Sequence, residues 1–160
     1  MTGFEDDIVI KVDRGAINLK VVQDMWEKDS ELDMDNLHQE SINIPRLHAK
    51  YYDLYNMTKL LKERAEHTRK NIRHERYEYY SGKADPEIYN QDPFPKKIRD
   101  KETMQKYLDA DKELSRFSLK IKYYDIILDY IDNILNKMIA NRSYQIRAAI
   151  DFMKFNSGLG

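Results

Sequence analysis

The sequence contains no cysteine, which excludes a disulfide framework, thiolate chemistry and cysteine-ligated zinc. Five glycines and four prolines in 160 residues are about half of what average usage, ~12%, would supply. Tight turns draw on those two residues, so a many-stranded sandwich or an α/β fold with a dozen short loops is not expected. Purely aliphatic runs stop at three residues, as in Ile126-Ile127-Leu128, too short for a membrane-spanning helix. The acidic stretch Met1 to Asp7 has no signal-peptide pattern, so a soluble intracellular protein is the expectation.

What is present points to a folded, charge-rich helical chain. Hydrophobic residues make up 41%, with twelve Tyr and seven Met, too many for a disordered chain. Charged residues reach 34% against an average of ~25%. The net charge of −1 hides a segregation. Residues 1–40 hold eleven acids and four bases; residues 41–160 hold seventeen acids and twenty-three bases. An acidic arm on a basic body implies an anionic partner for the body.

Glycine and proline positions divide the chain. Neither residue occurs in 46–81 or 96–157, and both stretches are rich in helix formers. Pro45 suits a first helical turn and Gly82 a helix C-cap. Between them and the second stretch, 82–97 reads as a loop punctuated by Pro86, Pro93 and Pro95. In the first stretch Leu47, Tyr51, Leu54, Thr58, Leu61, Ala65, Thr68 and Ile72 make one seam. In the second, Leu114, Ile121, Leu128 and Leu135 interleave with Phe117, Tyr124, Ile131 and Met138 as the a and d rows of four heptads. Tyr107 and Ala110 extend the pattern backward, predicting one helix over 101–140, roughly 60 Å long.

That helix is apolar beyond its seam, with Ile127 and Ile134 at g and Leu119 and Ile126 at f. A face so wide needs several neighbours, including other subunits. After Asn141-Arg142-Ser143 a last helix carries Ile146, Ala149, Ile150 and Met153 in a stripe beside Phe152 and Phe155, and exposed apolar ends invite oligomerisation. The expected interface comprises Leu128, Ile131, Leu135, Met138, Ile146, Ile150 and Met153. Toward the N-terminus, Ile8 to Val12 looks strand-like but lacks a strand to pair with. Leu19, Val22, Met25 and Trp26 predict a short amphipathic helix, and Asp33 to Asn36 a cap for another turn through Leu37 and Ile42.

Catalytic constellations are missing. His38, His48, His67 and His74 are scattered and show no metal spacing. Gly15 and Gly82 are isolated, so no phosphate-cradling loop exists. Asp109, Asp111 and Glu113 alternate with Ala110 and Lys112 in the manner of a solvated helix face. No enzymatic activity, cofactor or metal is therefore expected. The informative segment is basic. Lys59, Lys62, Arg64, Arg69, Lys70, Arg73 and Arg76 precede Tyr77, Tyr79, Tyr80 and Lys83. Helical spacing gathers Lys62, Arg69, Arg73 and Arg76 into a ridge able to follow a phosphate backbone, with tyrosine rings free to stack on unpaired bases. Lys96, Lys97, Arg99 and Lys101 extend the same field.

The run Arg76-Tyr77-Glu78-Tyr79-Tyr80-Ser81-Gly82 resembles the basic-hydrophobic-acidic-Tyr-Tyr-Ser-Gly signature of the UvsY recombination mediators of T-even-type phages. Leu108-Asp109-Ala110-Asp111-Lys112 is similar to that family's Ala-Asp-Lys helix, and Tyr124-Asp125-Ile126-Ile127-Leu128-Asp129 to its Trp-Gly-Ile-Leu-Leu-Asp stretch. Ile146-Arg147 and Asp151-Phe152-Met153 lie where the family has a C-terminal helix. The likeness runs over about residues 17–157 and is densest from 72 to 132. It implies a single-stranded-DNA-binding protein that assembles through its C-terminal part into a ring-like homo-oligomer of more than two subunits. It also implies a RecA-like phage recombinase and a phage single-strand-binding protein as partners, no membrane, and the cytoplasm of an infected bacterium as the location. Arg76 matches the Arg of the family's DNA-binding motif, whereas His74 stands where the family has Lys.

The expectation is thus an all-α protein, a long helical hairpin whose coiled-coil-like C-terminal helix serves oligomerisation. Residues 1–16 form a flexible or extended acidic arm, 17–140 a DNA-binding domain with the loop 82–97, and 141–160 an oligomerisation helix. The DNA-binding set is Lys62, Arg69, Lys70, Arg73, His74, Arg76, Tyr79, Tyr80 and Lys83. The rival reading is a helical scaffold without affinity for nucleic acid.

Overall fold

The structure, a computed structural model, describes residues 10–12 and 15–159, with side chains from Ile17 onward. Helix dominates: α1 (Leu19–Ser30), α2 (Leu37–Ser81), α3 (Pro86–Gln91), α4 (Lys101–Asp109), α5 (Lys112–Asn133), a π-helical stretch (Ile134–Ile139) and α6 (Arg142–Asn156). The fold is all-α but for one short hairpin in which β1 (Ile10–Val12) and β2 (Gly15–Ile17) pair antiparallel, Ile10 opposite Ile17. The strand expected to lack a partner finds it three residues downstream; Ile8 and Val9 of that expectation lie outside the described residues.

The chain divides into two compact units, one of residues Leu60–Tyr124 and one of the residues up to Lys59 together with those from Asp125. In the latter, Asn18 caps α1 by accepting from the Val21 amide at 2.8 Å, and Val22 and Trp26 carry its buried face. Trp26 meets Tyr51 of α2 edge-on, ring centroids 5.4 Å apart, and the Tyr51 hydroxyl donates to Asp29 at 3.0 Å. At the start of α6, Arg142 is buried, which a cation tolerates only when every donor is engaged. Its guanidinium donates to the Ser30 and Glu31 carbonyls at 3.1 and 2.9 Å and to the Glu40 carboxylate at 2.9 Å.

Three helix boundaries depart from the sequence reading. The turn expected after Asn36 does not stop near Ile42 but continues as α2, so Pro45 lies inside the helix and not in its first turn. Its absent N–H leaves the Ser41 carbonyl without its usual donor four residues on, and both residues are exposed. The helix expected over 101–140 breaks at Ala110-Asp111, where α5 restarts, and changes to π geometry at Ile134. The wide apolar face is largely used within the chain: Ile127, Ile131, Ile134, Leu135, Ile139 and Ile146 are all buried. Ile131, Leu135 and Ile146 are therefore core residues and not the open interface residues expected. Met138 and Met153 stay exposed at 44% and 46%, with Leu128 and Ile150 half-buried.

Candidate nucleic-acid interface

The unit Leu60–Tyr124 holds the basic segment, and its geometry follows from how α2 ends. Gly82 adopts φ +79°, a conformation that side chains with a Cβ resist. The Gly82 and Lys83 amides then turn back to the carbonyls of Tyr79 and Glu78 at 3.2 and 2.9 Å, closing the helix with the paired bonds of a Schellman cap. Downstream, the extended segment is pinned by the Ile98 amide donating to the Tyr80 carbonyl at 3.0 Å.

This cap packs the tyrosine pair inward. Tyr79 and Tyr80, 4% and 8% exposed, share a core with Ile98, Met104, Leu108 and Leu114. Tyr79 stacks on Tyr89 at 5.5 Å, and both members of the pair touch Phe94. The Tyr79 hydroxyl donates to the Asp92 carbonyl at 3.0 Å and that of Tyr89 to the Tyr79 carbonyl at 2.8 Å. The expectation that Tyr79 and Tyr80 stack on bases is corrected: their rings hold the 82–97 segment, with its short helix α3, against the end of α2.

Arg76 is likewise committed. Its Nε donates to Asp111 Oδ2 at 2.6 Å, its Nη2 reaches the Tyr80 hydroxyl at 3.1 Å, and that hydroxyl donates to the same Oδ2 at 2.6 Å. The guanidinium lies 4.3 Å from the Tyr79 ring centroid and 5.0 Å from that of Tyr80. Asp111 Oδ1 meanwhile accepts from the Glu113 and Leu114 amides at 3.0 and 3.1 Å, capping α5. Burial alone would raise the Asp111 carboxyl, but the hydrogen bonds from Tyr80, Leu114 and Arg76 outweigh it and hold it below its ordinary value. The side chain of Asp111 is only 2% exposed. It is thus no part of a solvated face, and Arg76, its side chain 26% exposed, is ion-paired to a carboxylate of its own chain.

The other expected residues remain accessible to different degrees. Lys70, His74 and Lys83 are exposed. Arg69 is half-buried, donating from Nε to Ser118 Oγ at 2.8 Å, and Arg73 is half-buried, donating from Nη2 to Gln105 Oε1 at 3.1 Å. Lys62 faces Glu66 at 3.8 Å. Lys96, Lys97, Arg99 and Lys101 are exposed. Across the unit, sixteen Lys and Arg stand against twelve Asp and Glu, a balance of +4. Among the described residues no helix is long and apolar enough to cross a membrane, and no cluster of His, Cys, Asp and Glu is arranged to hold a metal ion.

Sequence reasoning missed Asp111 as the hub of this unit. The signal that could have found it is an Asp two and three residues ahead of Glu113 and Leu114, the placement of a helix N-cap, where the continuing apolar repeat was read instead.

Comparison with known proteins bears on the same stretch. Residues 25–159 match the family model described as "Recombination, repair and ssDNA binding protein UvsY". The chain is 27% identical over 142 residues to the recombination protein UvsY of Enterobacteria phage T4, covering 89% of this chain and 99% of that protein. Crystal structures of the bacteriophage T4 recombination mediator protein UvsY superpose with a TM-score of 0.71 at 25% identity, covering 88% of this chain and 99% of that one. In a further lattice the TM-score is 0.68 at 26% identity, with 84% and 97% covered.

Proposed function

The chain belongs to the UvsY family of recombination, repair and single-stranded-DNA-binding proteins, and from that membership we propose that it acts as a recombination mediator. It binds single-stranded DNA and helps a RecA-like phage recombinase load onto strands coated by single-strand-binding protein, in the cytoplasm of the infected bacterium. The observation that carries the reading is the state of the cations on α2 and just beyond its end. Lys70, His74 and Lys83 are exposed, and Arg69 and Arg73 end on the neutral acceptors Ser118 and Gln105. A neutral acceptor can be exchanged for a phosphate without stranding a buried carboxylate. The proposed contact set is therefore Lys62, Arg69, Lys70, Arg73, His74 and Lys83, with Arg76, Tyr79 and Tyr80 holding the helix end that presents them.

A few phosphate contacts bind weakly at physiological salt, so the mediator works as a ring-like homo-oligomer of more than two subunits whose linked sites act together. Exposed Met138, Phe152, Met153, Phe155 and Leu159 supply the apolar surface for that assembly, beside half-buried Leu128 and Ile150. Bending one strand over several such sites weakens the grip of a coating protein and offers bases to an incoming recombinase. The test is recombinase-filament formation on single strands precoated with the phage single-strand-binding protein. Adding the full chain shortens the lag; an unchanged lag, with the chain shown to bind naked single strands, refutes mediation.

A further inference from the structure

Lys112, Arg116 and Lys120 recur at intervals of four on α5, each step advancing about 6 Å along the axis and about 40° around it. Lys112 and Arg116 are exposed and Lys120 is half-buried. Among the described residues none of the three makes an ion pair or a side-chain hydrogen bond; the Lys120 ammonium sits 5.6 Å over the Phe117 ring. Their bearing relative to α2 follows from Ser118, the residue Arg69 holds at 2.8 Å. At 3.6 residues per turn, the three cations lie roughly 120–160° around α5 from Ser118. They form a row turned away from the flank that meets Arg69.

The fold gives no reason for this row. Lys112 occupies the first turn of α5, where the helix dipole favours an acid, and like charges at intervals of four repel. Glu113 is the only carboxylate of α5 before Asp125, so the row keeps a positive balance. Its cations are interleaved with surface apolar to aromatic in kind: Leu119 is 43% exposed, and Phe117 and Tyr123 are half-buried. Cations that follow a backbone, alternating with rings and methyls that take unstacked bases, are the chemistry of a single-strand groove. Tyr79 and Tyr80, being buried, cannot supply the stacking surface.

We propose that Lys112, Arg116 and Lys120, with Phe117, Leu119 and Tyr123, form a second track for single-stranded DNA on the side of α5 turned away from Arg69 of α2. The proposal rests on the reading of the chain as a single-stranded-DNA-binding protein. Two tracks on different sides make a strand bend around the unit, so each protomer occupies a longer stretch of DNA than one ridge would.

The experiment uses the full chain carrying Lys112→Gln, Arg116→Gln and Lys120→Gln, with fluorescence anisotropy of a labelled homopyrimidine single strand across a salt series. Gln keeps the helix propensity of the residues it replaces, and circular dichroism checks the fold. Should the triple variant be misfolded, Lys112→Gln with Arg116→Gln alone is measured. At about 0.7 per phosphate contact, the slope of log affinity against log salt falls by about two for the triple variant and by about 1.4 for the double. The shortest oligonucleotide giving full affinity becomes shorter as well. A folded variant with the wild-type slope and length dependence overturns the second track. If a Lys70→Gln, Arg73→Gln variant lowers the slope in that same series, the single-strand reading stands without it. A wild-type chain without salt-sensitive binding refutes both.

Discussion

The hydroxyl of Tyr80 donates to the carboxylate of Asp111 across 2.6 Å, and thereby joins two of the stretches that resemble the UvsY family. The Arg-x-x-Tyr-Tyr-Ser-Gly run ends α2, the Ala-Asp-Lys run begins α5, and Arg76 closes the triangle from the side. Residues that look like a nucleic-acid motif in one dimension are, in three, the fastening of two helix ends.

That fastening has a measurable strength. Arg76→Gln leaves a nearly buried carboxylate without its cation and lowers unfolding free energy by about 2–3 kcal/mol. Tyr80→Phe removes the hydroxyl that donates to Asp111 and accepts from Arg76, at constant packing, and costs about 1–2 kcal/mol. Because both act on one oxygen, the double variant loses less than the two losses added. Urea denaturation of the three variants checks this; strict additivity contradicts the shared network.

The pH dependence carries its own sign. The folded state holds Asp111 below the ordinary carboxyl value of 3.8, so the unfolded chain takes up the proton first. Its contribution is complete above that ordinary value and is lost as the pH falls through the lower folded one. Asp111→Asn is therefore less stable than wild type at pH 7, and the gap narrows below about pH 4. Thermal melts at both pH values decide it; a gap that is constant with pH excludes the carboxylate as the cause.

Gly82→Ala forces a Cβ into φ +79° and brings it 2.9 Å from Lys97 Cγ. The lysine can swing aside, so the backbone term dominates, about 1–2 kcal/mol. Lys97→Ala in the same background restores little of the loss; a full rescue would show that crowding and not backbone conformation is responsible.

Assembly should separate from folding along α6. Phe152→Asp with Phe155→Asp removes exposed rings, 63% and 76% accessible, and lowers the particle mass in light scattering while the helical signal persists. Ile131→Asp places a charge at a fully buried position and unfolds the chain. Equal unfolding by both would mean that α6 is core rather than interface.

The sequence made the helical class legible because glycine and proline are confined to a few sites, and Gly82 announced its cap. The break at Ala110-Asp111 was hidden because apolar residues keep heptad spacing straight through it, Tyr107 and Ala110 on one side and Leu114 on the other. A repeat reports which face is apolar and is silent on whether the backbone between two turns is continuous. The tyrosine pair failed for a different reason. A ring next to cations reads alike whether it stacks on a base or lies under an arginine, and only the packing partners Tyr89, Phe94 and Tyr107 distinguish them. Likewise Ile131, Leu135 and Ile146 carried an interface-like pattern that the chain itself uses.

The central claim is that accessible cations on α2, and not the Arg76 of the recognisable motif, hold the phosphates of a single strand. Anisotropy across a salt series, comparing full-length wild type, Lys70→Gln with Arg73→Gln, and Arg76→Gln, tests it directly at a temperature where all three are folded. The account predicts a slope of log affinity against log salt reduced by about 1.4 in the double variant and unchanged in Arg76→Gln. A reduced slope in Arg76→Gln alone, with the double variant behaving as wild type, contradicts it.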